Sequence, residues 1–241
     1  MPKKGLQTAI LEFVEGKKYF SARALKAHLA KRRPKYAPLT INQYLYNLRA
    51  QEQLFNAGRG WYSTLPDALK LDTAPVRDLA SSVKSKFPLL SFSCWGTEQI
   101  QSFVHHLQTS FVLFVYVETD AIASVTEYLI AKGYNAYHNP GLREFEKYFK
   151  PTDRSVVLRP SITEEPVENH YASIEKILVD LYLEKDRANL MDGAEYKRVF
   201  KNLAYSQRIN IARLLRYAQR RKVKKAFTDR IFVEDKNLIA Q

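Results

Sequence analysis

The sequence predicts an α/β protein, α+β when the whole chain is counted. Three observations lead there. Apolar residues recur at helical spacing between residues 7 and 50, form continuous strand-like runs such as FVLFVYV at 111–117, and return to helical spacing from Ala172 onward. The 241 residues are 46% apolar, enough to build cores, so disorder is not the default.

The first helix is expected over residues 7–15, with Ile10, Leu11, Phe13 and Val14 as its buried stripe and Gly16, Lys17 and Lys18 as its stop. A second begins after Ser21, whose hydroxyl can accept from first-turn amides, runs through Ala22, Leu25 and Leu29, and ends before Pro34. The third is TINQYLYNLR, with Thr40 as its N-cap and Pro38 just ahead of it. QLFNAGRGWYSTL then reads as a hairpin, in which Leu54, Phe55, Trp61 and Tyr62 flank the tip AGRG. Helix, helix, helix, hairpin is the order of a winged helix-turn-helix, expected over residues 1–72.

TLPDALKLDTAPVRDL, with two prolines, marks a boundary near residue 72. Beyond it PLLSFSCW reads as a strand, Thr97 as the cap of a helix to about 107, and FVLFVYV as a strand apolar on both faces. Asp120 is expected to cap a helix ended by Gly133, followed by strand YNAYH, helix LREFEKYF and strand SVVLRP. This alternation implies a small α/β layer with right-handed crossovers. ASIEKILVDLYLEKDR, capped by Ser173 and apolar at Ile174, Ile177, Leu178, Leu181 and Tyr182, reads as an amphipathic helix. GAEYKRVFKNLA and INIARLLRYAQRRKVKKAF complete a helical C-terminal part, so residues 73–241 are expected to form one α/β domain.

Charge narrows the partner. The net charge is +13, and residues 1–74 carry 13 basic and 5 acidic side chains, against 9 and 8 over 75–160 and 16 and 12 over 161–241. A polyanion is favoured, nucleic acid ahead of a membrane surface. The longest apolar run is far short of the roughly 20 residues a spanning helix needs. With one cysteine, Cys94, and no secretory signal at MPKKGLQTAILEF, a cytoplasmic protein is expected.

The third helix has an unusual outer face. At 100° per residue Ile41, Tyr44, Leu45 and Leu48 fall on one side, while Thr40, Gln43, Tyr46 and Asn47 fall on the other. Amides can pair with an adenine edge, and Thr and Tyr can reach phosphate or base groups. Thr40, Gln43, Tyr46 and Asn47 are therefore the expected reading residues of double-stranded DNA. Arg49 and Arg59 are the expected phosphate or minor-groove contacts, and Lys31, Arg32, Arg33 and Lys35 a backbone clamp. Trp61 is expected to anchor the hairpin and His28 to be solvated or satisfied. The basic helix with Arg213, Arg216, Arg220 and Arg221 carries seven basic and no acidic residues from 213 to 225. Such a run fits either a solvated face or one that meets a phosphate backbone, RNA or an acidic protein.

No enzyme is expected. The sequence lacks GxxxxGK[ST], GxGxxG after a strand, HExxH and GxSxG, and neither a cofactor nor a metal is implied. His105 and His106 lack partners at metal spacing, and Cys94 sits in a strand where Cys is usually buried filler. Asp153 with Glu175 and Lys176 could be pieces of a metal-dependent nuclease site, but Glu175 lies in a helical pattern where a strand is required.

In module order, in ASIEKILVD and in INIARLLRYAQRR, the chain resembles AbiEi-type antitoxins of abortive-infection (type IV) toxin-antitoxin systems. Their S-x-E-K-x-L-V-D helix is matched by Ser173, Glu175, Lys176, Leu178, Val179 and Asp180. The short, strongly basic tail after Arg216 departs from that pattern and leaves the oligomeric state open. The resemblance implies a transcriptional autoregulator binding inverted repeats in its own promoter, and a second domain counteracting a nucleotidyltransferase toxin. Ser173, Glu175, Lys176 and Asp180 would be the antitoxin motif; the alternative is a cap with an i, i+4 surface pattern. Two other function classes stay open: a metal-dependent nuclease or nucleotide-processing enzyme with a DNA-binding N-terminal domain, and a protein-binding scaffold.

Overall fold

A computed structural model of the chain describes residues 5–31, 35–104, 111–149, 152, 154–188, 190–233, 235 and 237–240. The protein is mixed α/β with two mixed sheets, and it divides into two compact units. One unit joins residues 1–69 to residues 201–241; the other is residues 70–200. The first boundary lies close to the expected one, but residues 201–241 leave the expected domain and return to the N-terminal seventy. Hydrogen bonds fix that return. Arg208 N donates to Asp67 O at 2.7 Å, and Leu69 N donates to Arg208 O at 3.0 Å.

The first unit opens with α1 (Leu6–Val14), ended by Gly16 at φ +72°. Leu6, Ala9, Ile10, Phe13 and Val14 form its buried face. Leu11 does not join them, because it stands about 100° round the helix from Ile10. After β1 (Tyr19–Ser21) comes α2 (Ala22–Ala30), where Ser21 Oγ accepts from Ala24 N at 3.0 Å, the N-cap bond its position predicts. Helix α3 spans Pro38–Ala50. Thr40 is not its cap: the helix starts two residues earlier at Pro38, whose fixed φ and missing N–H suit the first helical position. The hairpin is β2 (Phe55–Asn56) and β3 (Trp61–Ser63), and β3 pairs antiparallel with β1. Ile10, Phe13, Phe20, Leu25, Ile41, Leu45, Leu48 and Leu54 share one core.

The second unit begins with a helix the sequence reading missed, α4 (Ala74–Lys86), buried through Val76, Leu79, Ala80 and Val83. β4 (Phe92–Gly96) leads into a 3-10 helix at Thr97–Phe103. Thr97 Oγ1 accepts from Val112 N at 3.1 Å, so it ties this turn to the next strand and does not cap an α-helix. β5 (Val112–Val117) is central but only half parallel: it runs parallel to β7 (Ser155–Pro160) and antiparallel to β4. Asp120 lies in a 3-10 turn (Thr119–Ala121) ahead of α5 (Ile122–Ala131), which ends at Gly133 with φ +79°. β6 (Asn135–His138) and α6 (Leu142–Tyr148) follow as expected. Two short unforeseen strands, β8 (Val167–Glu168) and β9 (Tyr171–Ala172), complete a sheet of order β6-β7-β5-β4-β9-β8. Helix α7 is Ile174–Glu184, and the division between the units falls within α8 (Gly193–Ser206).

The rest of the first unit is α9 (Ile211–Arg220), α10 (Lys224–Ala226), a π-turn (Phe227–Ile231) and β10 (Ile239–Ala240). The basic stretch is thus a short helix broken at Lys222, φ +61°, rather than one continuous helix. β10 pairs parallel with β1, giving the sheet order β10-β1-β3-β2. Among the described residues no helix is long and apolar enough to cross a membrane.

Candidate nucleic-acid interface

Helix α3 is two-sided in the way its sequence predicts. Ile41, Leu45 and Leu48 are buried, each worth about 1.5–3 kcal/mol relative to exposure, and they fix the helix against α1 and α2. Thr40, Gln43, Tyr46 and Asn47 are all exposed, Tyr46 at 65%. Tyr44 is half-buried against the core, so of the two tyrosines it is the packing one. Gln43 Nε2 donates to Asn47 Oδ1 at 3.1 Å, which aligns the two amides one turn apart. Asn42, exposed beside them, was missed by the sequence reading and belongs to the same polar surface.

Arg49 is exposed at the end of α3, and Lys31 and Lys35 are exposed near the end of α2 and the start of α3. Arg32 and Arg33 lie outside the described residues. The hairpin tip turns through Gly58 (φ +103°) and Gly60 (φ +76°), conformations that glycine adopts without a Cβ penalty. Asn56 Oδ1 accepts from Gly58 N at 2.8 Å, and Arg59 stands exposed at the apex. Trp61 anchors the hairpin by its edge-on contact with Phe232, ring centroids 6.5 Å apart. His28 is half-buried and packs on Phe13 at 4.9 Å between centroids.

The division of the chain sharpens the electrostatics. Residues 1–69 and 201–241 hold 23 basic and 7 acidic side chains, net +16, whereas residues 70–200 hold 15 and 18, net −3. Reading the chain in thirds hides this, because the basic residues after 200 are averaged with the acidic ones before it. The exposed basic residues of α9 are Arg213, Arg216 and Arg220, while Ile211, Leu214, Tyr217 and Ala218 are its buried residues; Arg221 is half-buried.

The motif in α7 lies elsewhere, in the second unit, and it is not a surface pattern. Glu175, Lys176, Asp180 and Glu184 are buried with the apolar residues around them. Ser173 stands at the N-cap, yet its hydroxyl donates to Glu175 Oε2 at 2.6 Å instead of accepting from the helix amides. Lys176 Nζ reaches Asp180 Oδ2 at 2.8 Å and Glu165 Oε2 at 3.1 Å, and lies 3.6 Å from the ring centroid of Tyr116. Ser93 Oγ and Ile162 N donate to the same Glu165 carboxylate. Arg159 grips Glu184 through two nitrogens at 3.0 and 2.6 Å. A buried cation held by two carboxylates is the arrangement that makes burial tolerable, since a lone charge there would lose its hydration without return. Glu165, Tyr116, Arg159 and Glu184 were not foreseen; a single Arg in the apolar strand SVVLRP was the available signal.

Of the chemistry weighed earlier, Asp153, His105 and His106 lie outside the described residues. Cys94 is buried in β4, and burial pushes its thiol up to about 12, so it is no nucleophile at neutral pH. No group of three His, Cys, Asp or Glu able to hold a metal ion occurs among the described residues.

A family described as a family of unknown function (DUF6577) matches residues 40–236. No curated protein matches the chain.

Proposed function

The chain belongs to DUF6577, a family of unknown function, and from its own residues we propose a duplex-DNA reader whose N-terminal unit works as a winged helix-turn-helix. Helix α3 enters the major groove, Gln43 and Asn47 read base edges, Thr40 and Tyr46 assist, and Arg49, Arg59, Lys31 and Lys35 hold phosphates. One observation carries this reading: in a unit of net charge +16, the exposed face of α3 presents amides, a hydroxyl and a phenol beside one apolar residue, Leu39 at 81% exposure, and exposed cations stand near the two ends of the helix, Lys35 before it and Arg49 in its last turn. Cations on that face would bind any sequence. Short hydrogen-bonding groups with cations at the helix ends suit discrimination.

The likeness to AbiEi-type antitoxins supplies a source for the DNA, the promoter of the chain's own operon, and a second role against a nucleotidyltransferase toxin. That role rests on the module order and on the α7 motif. Because the motif's charges are buried, its contribution is to hold the second unit in shape, leaving any toxin contact to surfaces around it.

Selection of bound duplexes from a random pool tests the first role. The expected result is an enriched sequence bound more tightly than its scrambled version, with Gln43→Ala or Asn47→Ala losing about 1–3 kcal/mol of that discrimination. Arg59→Ala should weaken all duplexes alike. Equal affinity for enriched and scrambled DNA refutes base reading.

A further inference from the structure

We infer that the arginine flank of α9 is a second DNA contact, a phosphate track that continues from the hairpin tip and lengthens the footprint beyond the groove read by α3. The inference rests on the DNA-binding reading above and adds a surface that reading does not use.

The hairpin tip is seated on the first turn of α9. A Cβ on Gly58 would lie 2.1 Å from Asn210 Oδ1 and 2.5 Å from the Ala212 Cβ, distances that no side chain could occupy. Ala212 N donates to Ala57 O at 3.4 Å, and Asn210 Oδ1 accepts from Arg213 N at 3.0 Å, so one asparagine both caps α9 and meets the tip. Arg59 follows Gly58, and Arg213 follows Ala212. Two exposed guanidinium groups therefore leave the backbone from adjoining points.

The helix carries the charge onward. Measured round the axis from Ala212 at about 100° per residue, Arg216, Arg220 and Arg213 fall at roughly 40°, 80° and 100°, one flank beside the residue that touches the hairpin. Ile211, Leu214 and Ala218 fall at roughly 200–260°, on the opposite side, and are buried, which holds that flank outward; buried Tyr217, at about 140°, borders it. From 213 to 220 the rise is about 10 Å at 1.5 Å per residue, comparable to the axial rise of three phosphates of one strand, roughly 3.4 Å each, for a helix that follows the duplex axis. All three are arginines, whose planar fork pairs bidentately with phosphate oxygens, and no acidic residue interrupts residues 213–225. Continuity with the hairpin favours the same duplex over a separate RNA or acidic protein, either of which could meet an isolated basic helix.

The test uses the full chain and fluorescence anisotropy on enriched and scrambled duplexes across a salt series. Each duplex is made in a short form and a form longer by about one helical turn. In Arg213→Gln/Arg216→Gln the slope of log affinity against log salt should fall by about 1.8, near 0.9 per phosphate, equally on both sequences. The longer duplex should lose its advantage while sequence preference persists. Gln43→Ala should do the reverse, keeping the slope and losing the preference. Both arginines are exposed, so an unchanged melting temperature checks the fold. A wild-type slope in the double variant overturns the track and leaves α3 reading intact. Loss of single-stranded RNA binding with duplex binding unaffected also overturns it. Absence of duplex binding by the wild type removes both readings.

Discussion

Replacing Lys176 with methionine removes the cation from a buried cluster and leaves its carboxylates in place. The side chain is 0% exposed, Asp180 is equally buried, and Glu165 is 7% exposed, so water cannot solvate what remains. Breaking a buried pair from one side typically costs about 3–5 kcal/mol, because the orphaned charge keeps its desolvation penalty. At about 2–4 °C per kcal/mol for a protein of this size, the melting temperature of the second unit should fall by roughly 6–20 °C. The two tryptophans make the assay specific, for Trp61 lies in one unit and Trp95, buried and stacked on Phe114 at 4.4 Å, in the other. Urea unfolding followed by Trp95 fluorescence in a Trp61→Phe background isolates the affected unit. Adding Asp180→Leu and Glu165→Gln to Lys176→Met should recover most of the loss, since no ionised group is then left unpaired. A Lys176→Met protein within about 1 kcal/mol of the parent, the middle of the ordinary range for single substitutions, would refute the reasoning.

Two further outcomes follow from the titrating groups. Cys94, with its thiol pushed up to about 12 by burial, should resist a disulfide-exchange reagent at pH 8 in the folded protein and react fully in denaturant; rapid native reaction would show β4 to be open. Asp235 is opposed by its partial burial, yet hydrogen bonds from Lys201, Tyr205 and Leu238 N hold its carboxyl below the ordinary 3.8. A lowered value stabilises the fold above the unfolded carboxyl range, and the effect is lost as pH falls through the folded one. Asp235→Asn should therefore unfold more easily than the parent at pH 6 and equally at pH 2; a gap that persists at pH 2 would assign the effect to shape rather than charge.

Some local rules were readable residue by residue, though the expected caps at Thr40, Thr97, Asp120 and Ser173 were not made. Ser21 caps α2, Gly16 stops α1, SVVLRP is β7, and the two faces of α3 separate as their spacing requires. Proline misled twice in the same way, read as outside a helix that it begins. Pro38 and Pro75 start helices α3 and α4, whereas the second was read as linker because two prolines fall within ten residues. Two-residue strands such as β8 and β10 carry no periodicity, so only tertiary pairing reveals them. The charges of α7 were invisible for another reason. Lys, Glu and Asp at i, i+4 normally mark a wet face, and nothing local announces that Glu165 and Tyr116 will close over them. For the candidate site, the amide face was legible residue by residue, while its union with α9 was not, since Gly58 and Asn210 are far apart in sequence.

The pairing of Ile239–Ala240 with Tyr19–Phe20 has a consequence for synthesis. While the ribosome is still making the last forty-one residues, the first sixty-nine have one sheet edge uncovered and a hairpin with nothing to rest on. The intervening 131 residues already possess all their own strands and can close first. The nascent amino-terminal segment must therefore wait, with an open strand edge as its hazard. Excising it at residue 72 would make that interim condition permanent.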